Sequence, residues 1–325
     1  MLPVLLALCA AFSNAVATVL QRRAALTVPA STGLRPGLLV DLLRRRIWLA
    51  GILAVIAAAV FQAAALAGGK LSVVQPLFVL ELPFALLVGS LVLRRGLPSR
   101  GWAAIGCVVL GLGLALGAAA PSAGEPHVAI GRWIPALAGC GAVIVLLCAV
   151  AVRRPIGRVR AWCLGAAAAV GYALTAALMK TATRTLADHG LGAFLTTWQT
   201  YAFAAVGVAS LFLLENALQG GPLVASQPAL TLGDAAVSLT LGVALYREEL
   251  RTGWWLVPEL LGIGLVAAGA VTLARTPLTR TLVGPVPEPP EDPAEPEGAA
   301  EPEEAADAED TAESEDAAAP PGPEA

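Results

Sequence analysis

The sequence predicts an all-α, polytopic membrane protein built from two inverted repeats, followed by a disordered acidic C-terminal tail. Three observations carry this prediction. The chain of 325 residues is 57% hydrophobic and only 14% charged, and its mean hydropathy of +0.73 is too high for a water-soluble domain. Nine stretches reach the length of roughly 20 apolar residues that a bilayer-spanning helix needs. A twelve-residue motif recurs in the two halves of the chain.

The predicted spans follow the apolar stretches along the chain. Segment 31–43 is shorter and contains Arg35, Pro36 and Asp41, so it is either an interfacial helix or a degenerate tenth span. The first span has no basic residue before it and an arginine pair after it, which indicates a retained helix rather than a signal peptide. The nine spans cover approximately residues 2–20, 47–67, 72–93, 101–119, 133–152, 161–181, 191–214, 222–245 and 253–274.

The distribution of basic residues predicts the orientation in the membrane. Fifteen of the 21 Lys and Arg lie in loops on one side of the predicted spans, and six lie on the other side. The positive-inside rule makes the side with fifteen charges cytoplasmic. We therefore expect a multi-pass protein of the cytoplasmic membrane with its C-terminus inside. The N-terminus is outside if there are nine spans and inside if there are ten.

The recurring motif divides the chain into two repeats. Residues 65–76 and 217–228 share the pattern A-L-x-G-G-x-L-x-x-x-Q-P at an offset of 152. An odd number of predicted crossings separates the two copies, so the repeats are inverted about an axis in the membrane plane, as in secondary transporters. The predicted domains are a first transmembrane repeat at 1–120, a connecting helix with loops at 121–160, a second repeat at 161–280 and the tail at 281–325.

The tail at 281–325 differs in composition from the rest of the chain. It holds fifteen of the 24 acids and no base, whereas residues 1–280 carry 21 bases against nine acids, a net charge of +12. A segment rich in Pro, Ala and Glu without aromatic residues cannot bury enough apolar surface to fold, so we expect it to be disordered. It is either a docking segment for a cytoplasmic partner or a solubilising appendage.

Two carboxylates are predicted near the bilayer midplane. Glu81 lies near the middle of span 72–93, and Asp234 lies near the middle of span 222–245. An ionisable residue at the centre of a membrane helix costs about 2.5–3.5 kcal/mol on insertion scales, and repeat transporters bind substrate and coupling ions at this depth. We therefore interpret Glu81 and Asp234 as a proton- or cation-binding pair. The alternative is that each acid only hydrogen-bonds to a neighbouring helix.

Further polar residues accompany these two acids. Gln75-Pro76 and Gln227-Pro228 lie near the start of the two spans that carry the acids. Each proline either belongs to an ordinary first turn or kinks the helix and frees carbonyls that line a cavity together with the glutamine amide. Two more intramembrane amides are candidate substrate contacts, although hydrogen bonds between helices are the more common role of such groups. These are Asn14 and Gln199.

Glycine spacing predicts close helix packing. Gly113-x-x-x-Gly117 and the run Gly262, Gly264 and Gly269 allow helices to approach each other, first inside the bundle and second at a homodimer interface. The chain contains no phosphate-binding loop, no zinc motif and no Ser/His/Asp arrangement, so the sequence predicts no enzyme, no cofactor and no nucleic-acid partner. The expected partners are the lipid bilayer and a small solute or cation.

These features together resemble the drug/metabolite transporter superfamily of EamA-like proteins. The resemblance lies in the helix openings Ala65-Leu66 to Pro76 and Ala217-Leu218 to Pro228, and in the Gly-rich helices that follow each of them. The G-E loop of that family is only partly present. The sequence Arg94-Arg95-Gly96-Leu97 lacks the acid, and the sequence Arg247-Glu248-Glu249-Leu250 lacks the glycine. The resemblance covers roughly residues 1–275 and implies a secondary transporter for metabolites or drug-like solutes that works by alternating access.

Nine spans with a shortened first half also resemble the NIPA-type magnesium transporters. The matching residues are Gln21-Arg22-Arg23 and the basic stretch that leads into Trp48, whereas Gln75-Pro76 stands where that group tends to have Thr-Pro. This resemblance implies a divalent cation bound by Glu81 and Asp234. Three functions remain open: a proton- or cation-coupled solute transporter, a magnesium transporter, and a non-transporting membrane scaffold or sensor that docks a partner through its tail.

Overall fold

The computed structural model describes residues 1–25, 46–92, 96–122, 124–125, 128–251 and 253–276. Within these ranges the regular secondary structure is entirely helical. Nine helical segments in this part of the chain are long and apolar enough to cross a membrane. The structure thereby confirms an all-α protein with multiple membrane-spanning helices. The candidate tenth span at 31–43 and the tail at 281–325 lie outside the described residues.

The helices follow the predicted spans closely. Helices α3 (Leu71–Leu77) and α4 (Glu81–Val92) are joined by a short 3-10 turn, Phe78–Leu80, and together form one span, Leu71–Val92. A second 3-10 turn, Gly253–Trp255, leads into α10 (Leu256–Ala274). The helices are α1 (Leu2–Ala25), α2 (Arg46–Gly68), α3 (Leu71–Leu77), α4 (Glu81–Val92), α5 (Ser99–Ala119), α6 (Ile130–Val152), α7 (Arg158–Thr196), α8 (Trp198–Gln219), α9 (Leu223–Tyr246) and α10 (Leu256–Ala274).

Helix α7 is longer than the predicted span at 161–181. It continues to Thr196 and is interrupted at Gly190, where φ of 79° and ψ of −177° depart from helical geometry. This region of backbone conformation is accessible almost only to glycine. Residues 191–196, which we predicted as the start of the next span, therefore end α7, and α8 begins at Trp198.

Helix α7 also occupies the centre of the bundle. It contacts α2, α6, α8 and α9, and its alanines Ala167, Ala168, Ala173 and Ala177 are fully buried. Small side chains let neighbouring helices approach closely, and such packing replaces the hydrophobic driving force that is missing between helices in lipid. Large apolar side chains lie on the outside, where we expect lipid, and include Leu53, Val60, Leu91, Leu110, Val145 and Val208.

Helices α5 and α10 pack backbone to backbone through glycine. A Cβ atom on Gly262 would lie 2.6 Å from the carbonyl oxygen of Gly111, and a Cβ atom on Gly111 would lie 2.7 Å from the carbonyl oxygen of Gly262. The prediction of internal packing is therefore correct for Gly262 and also for Gly269, whose added Cβ would lie 2.8 Å from the carbonyl oxygen of Ala104. It is wrong for Gly113, Gly117 and Gly264, which face open space.

The helical repeat explains why Gly113 and Gly117 do not pack against α10 whereas Gly111 does. Successive residues are about 100° apart on a helix, so Gly113 points to the side of α5 opposite Gly111. The spacing of four between Gly113 and Gly117 places both on one face, but that face is directed away from α10. The use of this face in a homodimer stays a prediction.

Replacement of Gly262 by leucine should separate α5 from α10. The new side chain would meet backbone atoms, which cannot rotate away, so we expect a loss of about 3 kcal/mol or more in the free energy of unfolding. The matched control is Gly264→Leu on the same helix, because nothing lies within 4 Å of its added Cβ. Thermal unfolding of both purified variants in detergent measures the difference, and equal midpoints would contradict this packing.

Candidate functional site

A cavity of about 930 Å³ lies inside the helical bundle. Its wall is formed by α1, α2, the α3–α4 span, α7, α8 and α9. A volume of this size accommodates a small organic ligand, because ligand pockets typically measure about 300–1,000 Å³. The lining is mainly aliphatic, with polar side chains on every one of these helices. The predicted site residues that line it are Asn14, Gln75, Glu81, Gln227 and Asp234.

Both predicted acids face this cavity from opposite halves of the chain. Glu81 is the first residue of α4 and has the Asn14 side chain of α1 as a hydrogen-bond partner. Asp234 lies in the middle of α9, where the hydroxyl of Ser238 donates a hydrogen bond of 3.4 Å to its Oδ1. Both acids are half-buried, and neither forms an ion pair with any other described residue. Both carboxyl groups are therefore available to a ligand or a proton.

The glutamine of the first motif is a buried residue of the cavity wall. Gln75 is only 3% exposed, and its Oε1 accepts a hydrogen bond of 3.5 Å from the Nε2 of Gln62 on α2. Both glutamines line the cavity. At 3.5 Å this contact is a weak hydrogen bond, so both amides retain most of their capacity to bind a solute.

The two motif prolines have different structural effects. Pro76 lies in α3 and is followed by the 3-10 turn, where the N–H of Phe78 donates to the carbonyls of Gln75 and Pro76. The α-helix resumes only at Glu81, so the kink interpretation applies to the first half. Pro228 lies within the uninterrupted helix α9. Neither proline lines the cavity.

Gln199 lies away from the cavity. It is the second residue of α8, and the Thr197 hydroxyl donates a hydrogen bond to its Oε1. The cavity is lined instead by the other end of α8, including Gln219. Twelve residues of helix separate Gln199 from Leu211, the first residue of α8 that lines the cavity, which corresponds to about 18 Å. The structure therefore assigns Gln199 a local hydrogen bond and no contact with this cavity.

Helical spacing identifies lining residues that the sequence interpretation did not select. Polar residues recur at i, i+4 and i+7 along two otherwise apolar helices, which is the spacing of one helix face. This pattern was visible in the sequence and predicts two polar stripes that face one space. The stripes are Asn14, Thr18 and Gln21 on α1, and Gln227, Thr231 and Asp234 on α9.

Among the residues that the structure describes, the charged ones that line the cavity are all acidic. They are Glu81, Asp234 and Glu215, the last of which is an exposed residue near the end of α8. The side chain of Tyr172 on α7 lies close enough to all three carboxylates to interact with them electrostatically. Lys, Arg and His are absent from the lining formed by the described residues. The cavity is therefore electrostatically suited to cations and unfavourable for anions.

The described residues contain no group of three or more His, Cys, Asp or Glu side chains that could hold a metal ion. A divalent cation in this cavity would thus have Glu81 or Asp234 as its carboxylate ligands and would complete its coordination with amide oxygens and water. Magnesium tolerates such an arrangement, because it is usually bound through one or two carboxylates and keeps several waters.

A buried ion pair closes the bundle beyond the cavity. The carboxylate of Glu248, which follows α9, lies 2.7 Å from the Nζ of Lys180 on α7. The same carboxylate accepts hydrogen bonds of 2.8 and 2.9 Å from the backbone N–H groups of Leu71 and Ser72 at the start of α3. The side chain of Glu248 is completely buried. We call the side of the bundle that holds this ion pair the Glu248 end.

The environment of Glu248 favours its charged form. Burial by itself would raise the pKa of this carboxyl group, but the Lys180 ammonium and the hydrogen bonds from Ser72 hold the pKa below its ordinary value. The sequence analysis counted Lys180 among the basic residues of one side and noted Glu248 only in the partial G-E loop, and it did not pair the two residues, which are 68 positions apart. The one indication within the sequence was that Glu248 carries an acid at the position that the offset of 152 relates to Gly96 in the first half.

The opposite side of the bundle is held differently. There the N–H of Gly157 donates a hydrogen bond of 2.9 Å to the carbonyl of Gly220. We call this side the Gly220 end. Gln219 and Glu215 line the cavity near this end and are exposed. The cavity therefore has exposed lining residues toward the Gly220 end and a buried ion pair at the Glu248 end.

Comparison with known proteins identifies a relative of nearly equal length. An uncharacterized protein of Corynebacterium glutamicum is 30% identical over 284 residues, which span 85% of this chain and 96% of the relative. No protein-family model matches the chain, and no solved structure matches it significantly.

The ion pair should make stability depend on pH in a defined direction. Because the pKa of Glu248 is lowered in the folded protein, its contribution is complete above the ordinary value of 4.5 and is lost as pH falls through the folded-state pKa. At neutral pH we expect Glu248→Gln to lower the free energy of unfolding by about 2 kcal/mol. The thermal midpoints of wild type and Glu248→Gln should converge on acidification.

The neighbouring Glu249 provides the matched control for this measurement. Its side chain is exposed and makes no ion pair with the described residues. Glu249→Gln should leave the midpoint close to that of wild type at every pH. If the Glu248 and Glu249 variants lose equal stability, the buried pair is not the source of the effect.

Proposed function

This chain belongs to the same protein family as the Corynebacterium glutamicum relative, and we propose that it is a secondary transporter for a small cationic solute. The carrying observation is the cavity with Glu81 and Asp234, two carboxylates that lack ion-pair partners among the described residues inside an apolar bundle. The proposal includes the EamA-like architecture of the drug/metabolite transporters, location in the cytoplasmic membrane and alternating access between its two sides.

Corresponding helix pairs support the two-repeat architecture. Helix α1 packs on α2 and on the α3–α4 span, just as α7 packs on α8 and on α9. These pairs are related by the offset of 152 that relates the two sequence motifs. The last helices of the two halves, α5 and α10, pack on each other through Gly111 and Gly262. An internal two-fold relation of this kind lets one chain adopt two opposite-facing conformations.

The acidic cavity supports a cationic solute and its coupling to protons. An ionised carboxylate in an apolar interior is costly unless a cation or a proton neutralises it. A bound cation and a proton therefore compete for Glu81 and Asp234, and this competition couples the movement of one to the movement of the other. Asn14 orients the Glu81 carboxyl group and Ser238 contacts Asp234. The amides of Gln62, Gln75 and Gln227 supply neutral hydrogen-bonding groups for the rest of the solute.

The predicted orientation in the membrane indicates the side toward which the cavity is directed. Arg153 and Arg154, which precede Gly157, belong to the basic loops predicted to be cytoplasmic, and Lys180 belongs to the opposite side. We therefore assign the Gly220 end to the cytoplasm and the Glu248 end to the outside. On this assignment the cavity faces inward.

Transport of magnesium is the second candidate, and one observation favours it. Two carboxylates and several amide oxygens line one cavity, and these are the hard ligands that the ion prefers. A volume of about 930 Å³ with mostly aliphatic walls fits an organic cation better than a small ion. We therefore propose the organic cation and treat magnesium as an outcome of the experiment.

Substitution of the cavity acids should abolish coupled transport. Proteoliposomes that enclose a pH-sensitive dye would receive choline or its neutral isostere, in which carbon replaces the nitrogen, together with a wider panel of amines. We expect proton flux with a cation in the panel and not with its neutral counterpart. Glu81→Gln and Asp234→Asn should each lower the initial rate at least about tenfold, which corresponds to about 1.4 kcal/mol.

The control for this experiment is Glu249→Gln, which removes an acid outside the cavity and should preserve the rate. Equal flux with charged and neutral compounds would support a transport function and contradict the preference for a cationic solute. Flux that appears only with magnesium, read by a magnesium-sensitive dye, would favour the divalent-cation function. Correctly inserted protein without any flux would favour the scaffold or sensor, and removal of residues 281–325 would then be tested for loss of a partner.

A further inference from the structure

We propose that Lys180, Glu248 and the N-terminus of α3 form a lock that holds the cavity closed at the Glu248 end, with no equivalent lock among the described residues at the Gly220 end. This inference rests on the proposed transport function, because a lock has meaning only if the cavity opens alternately to the two sides. It assigns a conformational role to two residues that do not contact the cavity themselves.

The lock lies directly beyond the closed side of the cavity. Met179 lines the cavity, and the next residue, Lys180, is buried and paired with Glu248. Gln75 lines the cavity, and Ser72, whose N–H binds Glu248, lies three residues earlier. Three residues of helix correspond to about 4.5 Å along the axis. A solute that left the cavity between these parts of α3 and α7 would therefore meet the ion pair.

The chemistry of the lock favours two discrete states. One carboxylate connects three elements: it follows α9, pairs with Lys180 of α7, and caps the first N–H groups of α3. A carboxylate at a helix N-terminus is stabilised by the unpaired N–H groups and the positive end of the helix dipole. Removal of one partner would leave the other charge buried and uncompensated. Separation of the three elements therefore requires water to replace all these contacts together.

Surrounding contacts reinforce the same end. The Nζ of Lys180 lies 4.1 Å from the centre of the Tyr246 ring, and the hydroxyl of Tyr246 donates a hydrogen bond of 2.6 Å to the carbonyl of Ala177. Arg184 donates a hydrogen bond of 3.3 Å to the carbonyl of Ala67 at the end of α2. These contacts connect α2, α7 and α9 around the ion pair.

The two ends differ because the repeats have diverged at these positions. The offset of 152 relates Glu248 to Gly96 and Lys180 to Val28, so the first half has neither charge. An added Cβ on Gly96 would find no atom within 4 Å. The four ion pairs of the described residues connect Glu125 with Arg132 and Arg247, Lys180 with Glu248, and Arg184 with Asp188. They lie toward the Glu248 end, so the resting protein should favour closure there and opening toward the Gly220 end.

Sided chemical labelling of a cysteine inside the cavity tests the lock. Thr175 lines the cavity, so Thr175→Cys would report access after the five native cysteines are replaced by alanine. The protein is reconstituted in liposomes, and a membrane-impermeant maleimide is added from one side at a time. With an intact lock, labelling should be at least tenfold faster from the Gly220 end than from the Glu248 end.

Breaking the pair should reverse this preference. Glu248→Gln and Lys180→Met should each raise the labelling rate from the Glu248 end at least tenfold and lower it from the Gly220 end. Lys180→Arg retains the charge and should preserve the original preference, and so should Glu249→Gln. A pair with a merely structural role would change thermal stability without moving the two labelling rates in opposite directions.

A paired substitution keeps the test decisive if single variants fail to fold. The double variant Lys180→Met with Glu248→Leu leaves no uncompensated charge and should label from the Glu248 end as the single variants would. Unchanged sidedness in any folded variant that lacks the pair would overturn the lock. If the variants reverse the labelling but the wild type shows no flux of any tested solute, the lock is supported and the proposed transport function is rejected. If the wild type shows flux but the variants label as the wild type does, the transport function is supported and the lock is rejected.

Discussion

The free-energy cost of holding a charge away from water explains the different surroundings of Glu248, Glu81 and Asp234 in this bundle. Glu248 is completely buried, and it is neutralised by Lys180 and by two backbone N–H groups of α3. Glu81 and Asp234 lack such partners among the described residues and lie instead on the wall of a cavity. The cost of removing a charge from water therefore accounts both for the ion pair of Glu248 at one end and for the position of Glu81 and Asp234 on the cavity wall.

These acids fall into two kinds: Glu248 stabilises the fold through its pairing, and Glu81 and Asp234 belong to the proposed binding site. The hydrogen-bonding capacity of Glu248 is used by its protein partners, so a ligand can compete only if three elements separate. Glu81 is held by the neutral Asn14 and Asp234 by the neutral Ser238, and neither contact compensates a negative charge. The aliphatic walls around them keep the local dielectric low, which strengthens their interaction with any cation that enters. The proposed affinity for a cation thus follows from the carboxylates that the protein leaves without ion-pair partners among the described residues.

Differences between the two halves have consequences beyond the repeated pattern. Pro76 is followed by a 3-10 turn that places Glu81 at the start of a new helix, whereas Pro228 lies in a continuous helix that carries Asp234 in its middle. Likewise, Glu248 has glycine as its counterpart at Gly96. A strictly symmetric repeat would give two ends of equal stability. In the proposed alternating-access cycle, divergence at a few positions would be sufficient to favour one conformation, because small differences in free energy shift a two-state equilibrium strongly.

The sequence by itself determined the apolar spans that the described residues form as helices, the position of both central acids within them, and Asn14 and Gln227 as candidate polar residues. This was possible because lipid forces each span to satisfy its own backbone hydrogen bonds, so length and composition within one segment are sufficient. Only the tertiary structure decided that Gly111 and Gly262 meet, that Gln199 lies far from the cavity, and that Lys180 pairs with Glu248. Such contacts join residues distant in sequence, and their geometry depends on how whole helices pack, which no local pattern encodes.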